Sequence, residues 1–368
     1  MITASVIITS YDNAHNLKAC INSLLKQDYD QKLIAIEVIF VDSGSHDNSK
    51  VILNEYSNRI KIFFKPRIYS NIPRLSPAQA RNIGAEHARG KFLLFSDSDC
   101  ILPKTWISTT IEHFTNYPID CIIGNREPDA GKGLGTFIRR YDFILYSNKF
   151  TIQESVIINK KSIKDVTPMI LLAGNNFAVK KAVWHKLGGM KTIFQNPAGE
   201  DIMLEIELLK EGHTLMFIPK IKVIHNHTIS LTKLFKRAFQ NGEATYLLSK
   251  YSDNFVTWKN FCERGRNFNI YKFILSTMTV YLLVLLSLLF KISPAIVLAL
   301  LLISYLIFFL LELSATAKRL RMIILKKAKK YFMYSKISLF ELSLFVTIHL
   351  ILKTIATLNI LWNSFVRK

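Results

Sequence analysis

The sequence predicts an α/β chain with a mostly parallel sheet flanked by helices, followed by C-terminal transmembrane helices. Three observations carry this. Short β-branched or aromatic runs alternate with helical patterns through the first 250 of 368 residues. The runs are apolar throughout rather than on alternate positions, as in strands buried on both faces. Beyond residue 270 the chain turns almost wholly apolar.

The elements follow in order. "SVIIT" (5–9) is an apolar strand, and Asn16–Lys26 sets Leu17, Cys20, Ile21 and Leu24 at helical spacing. "IEVIFVD" (36–42) is a second strand, closed by the polar turn Ser43–Asn48 before a second helix. "IKIFFK" (60–65) reads as a third strand and Pro77–Arg89 as a third helix. "KFLLFSD" (91–97) completes the series. Parallel sheets of this kind bind ligands beyond the carboxyl ends of their strands. Ser10, Tyr11, Asp42 and Asp97 all stand at such ends. No GxxxxGK[ST] loop is present, and "GKGLG" (131–135) lacks a preceding strand, so neither a P-loop nor a dinucleotide fingerprint is expected.

Phe273–Phe290 carries no charged residue, and after Lys291–Pro294 the apolar pattern continues to Leu311. Each run approaches the ~20 residues a helix needs to cross hydrocarbon. Residues 270–313 are therefore expected to form a transmembrane hairpin, joined to the first domain by a linker at 251–269. The apolar stretch 337–368 holds Glu341, His349 and Lys353, and fits either a third span or an interfacial helix. The net charge of +21 would suit nucleic acid, but its distribution does not. Residues 264–368 hold fifteen Lys/Arg against two acids, densest in "KRLRMIILKKAKK" (318–330). Basic residues beside a span mark the cytoplasmic side and attract anionic lipid. A multi-pass protein of the cell membrane with 314–336 and the N-terminal domain in the cytoplasm is expected, with no nucleic-acid partner. The four cysteines show no CxxC spacing and fit a reducing compartment.

In "FLLFSDSDC" (92–100), two acids separated by one residue end a buried run. Burying such a pair costs several kcal/mol unless a cation or strong donors compensate. Alternation along an extended chain would send Asp97 and Asp99 to one side, where a divalent ion can meet both. A second acidic pair, Glu200–Asp201, opens the amphipathic "GEDIMLEIELLKEGH" (199–213). Acids at a helix N-terminus are ordinarily explained by the dipole and capping.

Together, "SVIITSYDNAHNLKACINSLLKQDY", "EVIFVDSGSHDNS", "AQARNIGAEHARGKFLLFSDSDC" and "GED" resemble the family 2 glycosyltransferases of the GT-A, Rossmann-like fold, in particular membrane-anchored bacterial members. The resemblance spans roughly residues 5–242. It implies an inverting, metal-dependent (Mn2+ or Mg2+) hexosyltransferase that moves a sugar from a nucleotide-sugar, UDP-linked by analogy, to an acceptor hydroxyl. Asp201 would be the base, with Glu200 as acceptor contact or support. Asp99 would touch the metal, and Asp97 the ribose or a metal-bound water. Asp42 would accept the imide N–H of uracil, Ser10 and Tyr11 would flank the base, and Arg81 would face the diphosphate. Asn175 and Asn176 would reach sugar hydroxyls. His225 would complete the metal shell, and Arg237 would close over the diphosphate. The bland alternatives stay open: a turn cap for Asp42, a surface arginine for Arg81, a polar strand end for His225, a lipid-facing charge for Arg237. The chain departs from the family pattern at Ser43 and Cys100, where acids are usual. Anchoring suggests a lipid-linked glycan acceptor in envelope polysaccharide synthesis. The rival expectation is a membrane scaffold of the same fold without turnover.

Overall fold

The computed structural model describes residues 2–63, 65–69, 74–128, 152, 154–160, 172–226 and 231–252. The chain divides into two units, Met1–Ser230 and Leu231–Lys368.

The first unit is built on a nine-stranded mixed sheet. Its parallel half begins with β1 (Ala4–Ser10), followed by helix α1 (Ala14–Leu25) and strand β2 (Ile36–Asp42). Then come α2 (Ser49–Phe63), β3 (Lys65–Tyr69), α3 (Pro77–Glu86) and β4 (Phe92–Asp97). β1 pairs in parallel with both β2 and β4, and β2 with β3. All seven residues of β2 are buried, as expected of a strand with helices on both faces. Ser10, Asp42 and Asp97 consequently end neighbouring strands on one rim, Ser10 directly across from Asp42.

The third strand does not lie at 60–65. Helix α2 runs through Phe63, and the strand is Lys65–Tyr69. A run as short as Ile-Lys-Ile-Phe-Phe-Lys suits either period, and no breaker stops the helix before it. Pro66 fits the observed strand because, among the described residues, β3 pairs with β2 alone, so a missing N–H is tolerated. Helix α3 also ends at Glu86, short of Arg89; Ser76 and Gln79 form a reciprocal capping box at its start and Pro77 occupies the first turn.

The other half of the sheet is mixed. It contains β5 (Cys100–Ile101), β6 (Cys121–Pro128), β7 (Val156–Ile158), β8 (Asn176–Lys180) and β9 (Leu215–His225). Helix α4 (Trp106–Asn116) precedes β6; α5 (Lys181–Leu187) and α6 (Glu200–Lys210) precede β9. β8 is antiparallel to both β4 and β6, and β6 is parallel to β9. At its far edge β9 carries β7 at one end and β5 at the other, both antiparallel.

The β6–β9 ladder breaks between Gly124 and Asn125, whose partners jump from Ile218 to Lys222. Pro219 lies in the stretch of β9 left out of register, where no ladder hydrogen bond is asked of it. Asn176 closes the break. Its Nδ2 donates to the carbonyls of Asn125 (2.6 Å) and Ile221 (3.0 Å), and its Oδ1 accepts Trp106 Nε1–H at 2.9 Å. Gly124 makes this possible, since a Cβ there would sit 2.2 Å from Asn176 Nδ2.

In the second unit the described residues form helix α7 (Leu231–Tyr251). Among the described residues no helix is long and apolar enough to cross a membrane. The segments expected to span, 270–313 and 337–368, the basic stretch 314–336 and the linker 251–269 from residue 253 on lie outside them.

Candidate active site

The rim at the carboxyl ends of β1, β2 and β4 is stitched together by two loops. Asp12 adopts a left-handed conformation (φ 45°) directly after Tyr11. Its carboxylate accepts His46 N–H at 2.7 Å, and its own N–H donates to Ser45 Oγ at 2.9 Å. Asp47 accepts the N–H groups of Ala14 (2.8 Å) and Ser49 (3.0 Å), tying the start of α1 to the start of α2. The hydroxyl of Ser45 also donates to Asp42 Oδ1. Asp42 is thus buried and fixed at the strand end, with Ser10 beside it, buried and without a hydrogen-bond partner at Oγ. Tyr11 lies between His46, edge-on, and Arg74, whose guanidinium carbon is 4.6 Å from the ring centroid. Arg74 escaped the sequence reading because it sits in a stretch with no helical or strand period.

Asp97 and Asp99 do not share one side. Strand β4 ends at Asp97, and Ser98–Asp99 form the turn into β5, so alternation no longer governs them. Asp97 faces α3: both its oxygens contact Arg81 Nη2 (3.0 and 3.3 Å), and Oδ1 also accepts Thr9 Oγ1–H at 2.8 Å. Asp99 faces β9 instead, with Oδ2 3.2 Å from His225 Nε2. The short strand β5 enforces this, because Cys100 stands directly opposite His225 and Asn226 N–H donates to the Asp99 carbonyl at 2.7 Å. Asn226 is held in turn by a reciprocal side-chain and carbonyl pairing with Asn16.

Arg81 is buried, and its fork is engaged by acids on both sides: Asp97, and Glu200 Oε1 at 3.2 Å from Nη1. Burial opposes its charge, but Asp97, Glu200 and Asp201 together hold the guanidinium above its ordinary pKa. It therefore works as an internal strut between two acidic motifs, and a direct reach to a diphosphate is not what this geometry offers. The pairing needs Gly174, where a Cβ would fall 2.5 Å from Arg81 Nη2.

Gly199, at φ 94°, turns the chain into α6 and places Glu200 and Asp201 in its first turn, where the helix dipole favours negative charge. Burial, reinforced by the neighbouring Asp201, pushes the Glu200 carboxyl up to about 7 despite Arg81. Glu200 Oε2 is buried and unpaired. Asp201 is only partly buried; its Oδ2 accepts Gly174 N–H at 3.2 Å. One turn on, Glu205 accepts Leu172 N–H at 2.7 Å, so acids at i and i+4 grip one backbone segment. Glu205 carries no sequence signal for this role: it is an acid on an otherwise apolar helix face.

The predicted residues thus sort clearly. The structure joins Asp97, Arg81 and Glu200 into one chain of ion pairs, with Asp201 alongside. It pairs Asp99 with His225, and sets Ser10, Tyr11 and Asp42 on the neighbouring strand ends. Asn175 is buried with Oδ1 unpaired. Asn176 is buried, with both ends of its amide engaged inside the sheet. Arg237 lies on α7 in the second unit.

Comparison with known proteins agrees with this architecture. Residues 5–171 match the profile of Glycosyl transferase family 2. The chain is 32% identical over 144 residues to glycosyltransferase AglE of Haloferax volcanii, covering 38% of this chain and 43% of AglE. It is 35% identical over 109 residues to the UDP-Glc:alpha-D-GlcNAc-diphosphoundecaprenol beta-1,3-glucosyltransferase WfgD of Escherichia coli, covering 29% and 38%. The match thus spans less than half the length of either relative. Among solved structures, mannosyltransferase PcManGT of Pyrobaculum calidifontis, in complex with GDP-Man and Mn2+, shares the fold at a TM-score of 0.55 and 15% identity, covering 98% of this chain and 87% of that one. Within the N-terminal unit, residues 5–171 thus carry the match to family 2 glycosyltransferases.

Proposed function

We propose that the chain transfers a sugar, with inversion, from a UDP-linked donor to a hydroxyl of a lipid-linked glycan at the cytoplasmic face of a membrane. One observation carries the proposal: two acidic motifs far apart in sequence meet at a single buried arginine on the rim where a parallel sheet binds its ligands. Asp201, with a partly exposed carboxylate beside that arginine, is the group placed to take a proton. As the acceptor oxygen attacks the anomeric carbon, its proton passes to Asp201 and the bond to the donor's diphosphate breaks. Asp42 and Tyr11 hold the base, and Arg81 keeps Asp97 and Glu200 in position. Asp99 and His225 offer an oxygen and an imidazole nitrogen 3.2 Å apart, a donor set better suited to a transition-metal dication than to Mg2+. A cation held there supplies charge neutralisation for the departing diphosphate. The UDP donor and the lipid-linked acceptor draw support from the substrates in WfgD's name, and the membrane from the apolar runs after residue 270.

The test is transfer of radiolabel from nucleotide-sugars into a native membrane lipid extract, with and without EDTA. Label should enter the organic phase from a UDP-sugar and stop with chelation. Label entering only water-soluble acceptors would overturn the lipid assignment, and label from GDP-sugars alone would overturn the donor.

A further inference from the structure

Cys100 directly follows Asp99, and the structure gives its thiol a chemical context. Strand β5 pairs Cys100 directly opposite His225 on β9. Directly opposed residues of an antiparallel pair share a face, with Cβ atoms about 5 Å apart. One carboxylate completes the group: Asp99 Oδ1 lies 3.8 Å from Cys100 Sγ, and Oδ2 lies 3.2 Å from His225 Nε2. The three ligand atoms fall within 4.8 Å of one another. A tetrahedral zinc site has its ligand atoms about 3.5 Å apart, so a contraction of about 1 Å brings all three onto one ion. The thiol is fully buried, a position from which water does not compete for the sulfur.

We infer that this site selects thiophilic divalent cations, Zn2+ above all, through a Cys100 thiolate beside Asp99 and His225, and so differs from an all-oxygen site made for Mg2+ or Mn2+. The inference rests on the reading of Asp99–His225 as the metal position. Three protein ligands of mixed O, N and S type leave a fourth position open, the arrangement zinc takes where it also meets a substrate. Ligation forms a metal–sulfur bond and releases the thiol proton to solvent, so each ion bound frees one proton from Cys100. A sulfur ligand raises affinity for Zn2+ and Co2+ far more than for Mn2+.

Co2+ titration of the full chain, followed by absorption, tests this without any turnover. The wild type should show a near-ultraviolet thiolate-to-cobalt charge-transfer band at one equivalent, displaced by Zn2+. Cys100→Ser should abolish that band while Co2+ still binds, and should weaken Zn2+ binding by about 10-fold or more while changing Mn2+ binding by less than about 3-fold. Cys20→Ala should leave the band intact. UDP binding by each variant reports that it is folded. Co2+ bound to the wild type without a charge-transfer band, or a band that survives Cys100→Ser, overturns the thiolate and leaves the transferase reading standing. No divalent binding in the presence or absence of UDP overturns both.

Discussion

The two halves of the sheet position their functional groups in different ways. In the parallel half, β3-β2-β1-β4, residues reach the rim because strands end there: Ser10, Asp42 and Asp97 need only the register of their own ladder. In the mixed half, backbone order alone puts nothing in place. Asp99 depends on the two-residue strand β5, Asp201 on Gly199 and Gly174, and the sheet itself on an amide wedge at Asn176. Local pattern therefore encodes the first half, and long-range side-chain contacts the second. Substitutions should separate them.

The largest effect is expected at Asp201. Asp201→Asn should lower transfer by about 10²–10⁴-fold with nucleotide affinity unchanged, read from initial rates and from UDP titration. Equal loss of both would place Asp201 in binding instead. Next comes Asn176→Ala, which strips two carbonyls and the Trp106 indole of their partner. At about 1–3 kcal/mol for each buried group left unpaired, denaturant unfolding should show a loss of several kcal/mol. Asp42→Ala, in the parallel half, should weaken UDP binding yet leave the denaturant midpoint nearly unmoved. A large stability loss there would erase the contrast between the halves.

Glu200 gives a pH signature. Its folded pKa stands above its unfolded one, so between pH 4.5 and about 7 the folded state holds more of its proton. Stability must then fall as pH rises through that window. Glu200→Gln should flatten this part of the Tm-against-pH curve, and an unchanged slope would assign the proton elsewhere. The smallest effect belongs to Arg74→Ala: its cation–π contact with Tyr11 is exposed and worth about 0.5–1 kcal/mol, a few-fold in UDP affinity if Tyr11 carries the base.

The same contrast explains what was legible in the sequence. Strands at 36–42 and 92–97 were readable because unbroken apolar runs terminate in acids. The "IKIFF" segment was not, because five residues of Ile, Lys and Phe satisfy helix and strand alike, and only the reach of α2 decides. Asp42, Asp97, Asp99, Glu200, Asp201 and His225 could be singled out as candidates from the sequence, but their partners could not. That Asp97 belongs to Arg81 and Asp99 to His225 depends on a turn at Ser98, which no periodicity marks. Asn176 was expected to face a sugar because its segment resembles the one that does so in the family. The register jump that consumes it lies in β6 and β9, far away in sequence.

That wedge bears on how such domains can be recombined. Residues 172–210 look like a portable cassette, carrying Gly174, Asn176, Glu200 and Asp201 in one piece. Their complementary surfaces lie elsewhere, at Gly124, Trp106 and Arg81. A chimera that exchanged the cassette between relatives without those three positions would import an amide with no carbonyls to bridge and a glycine facing no guanidinium. The seams of this protein run through the middle of its sheet, and not through its loops.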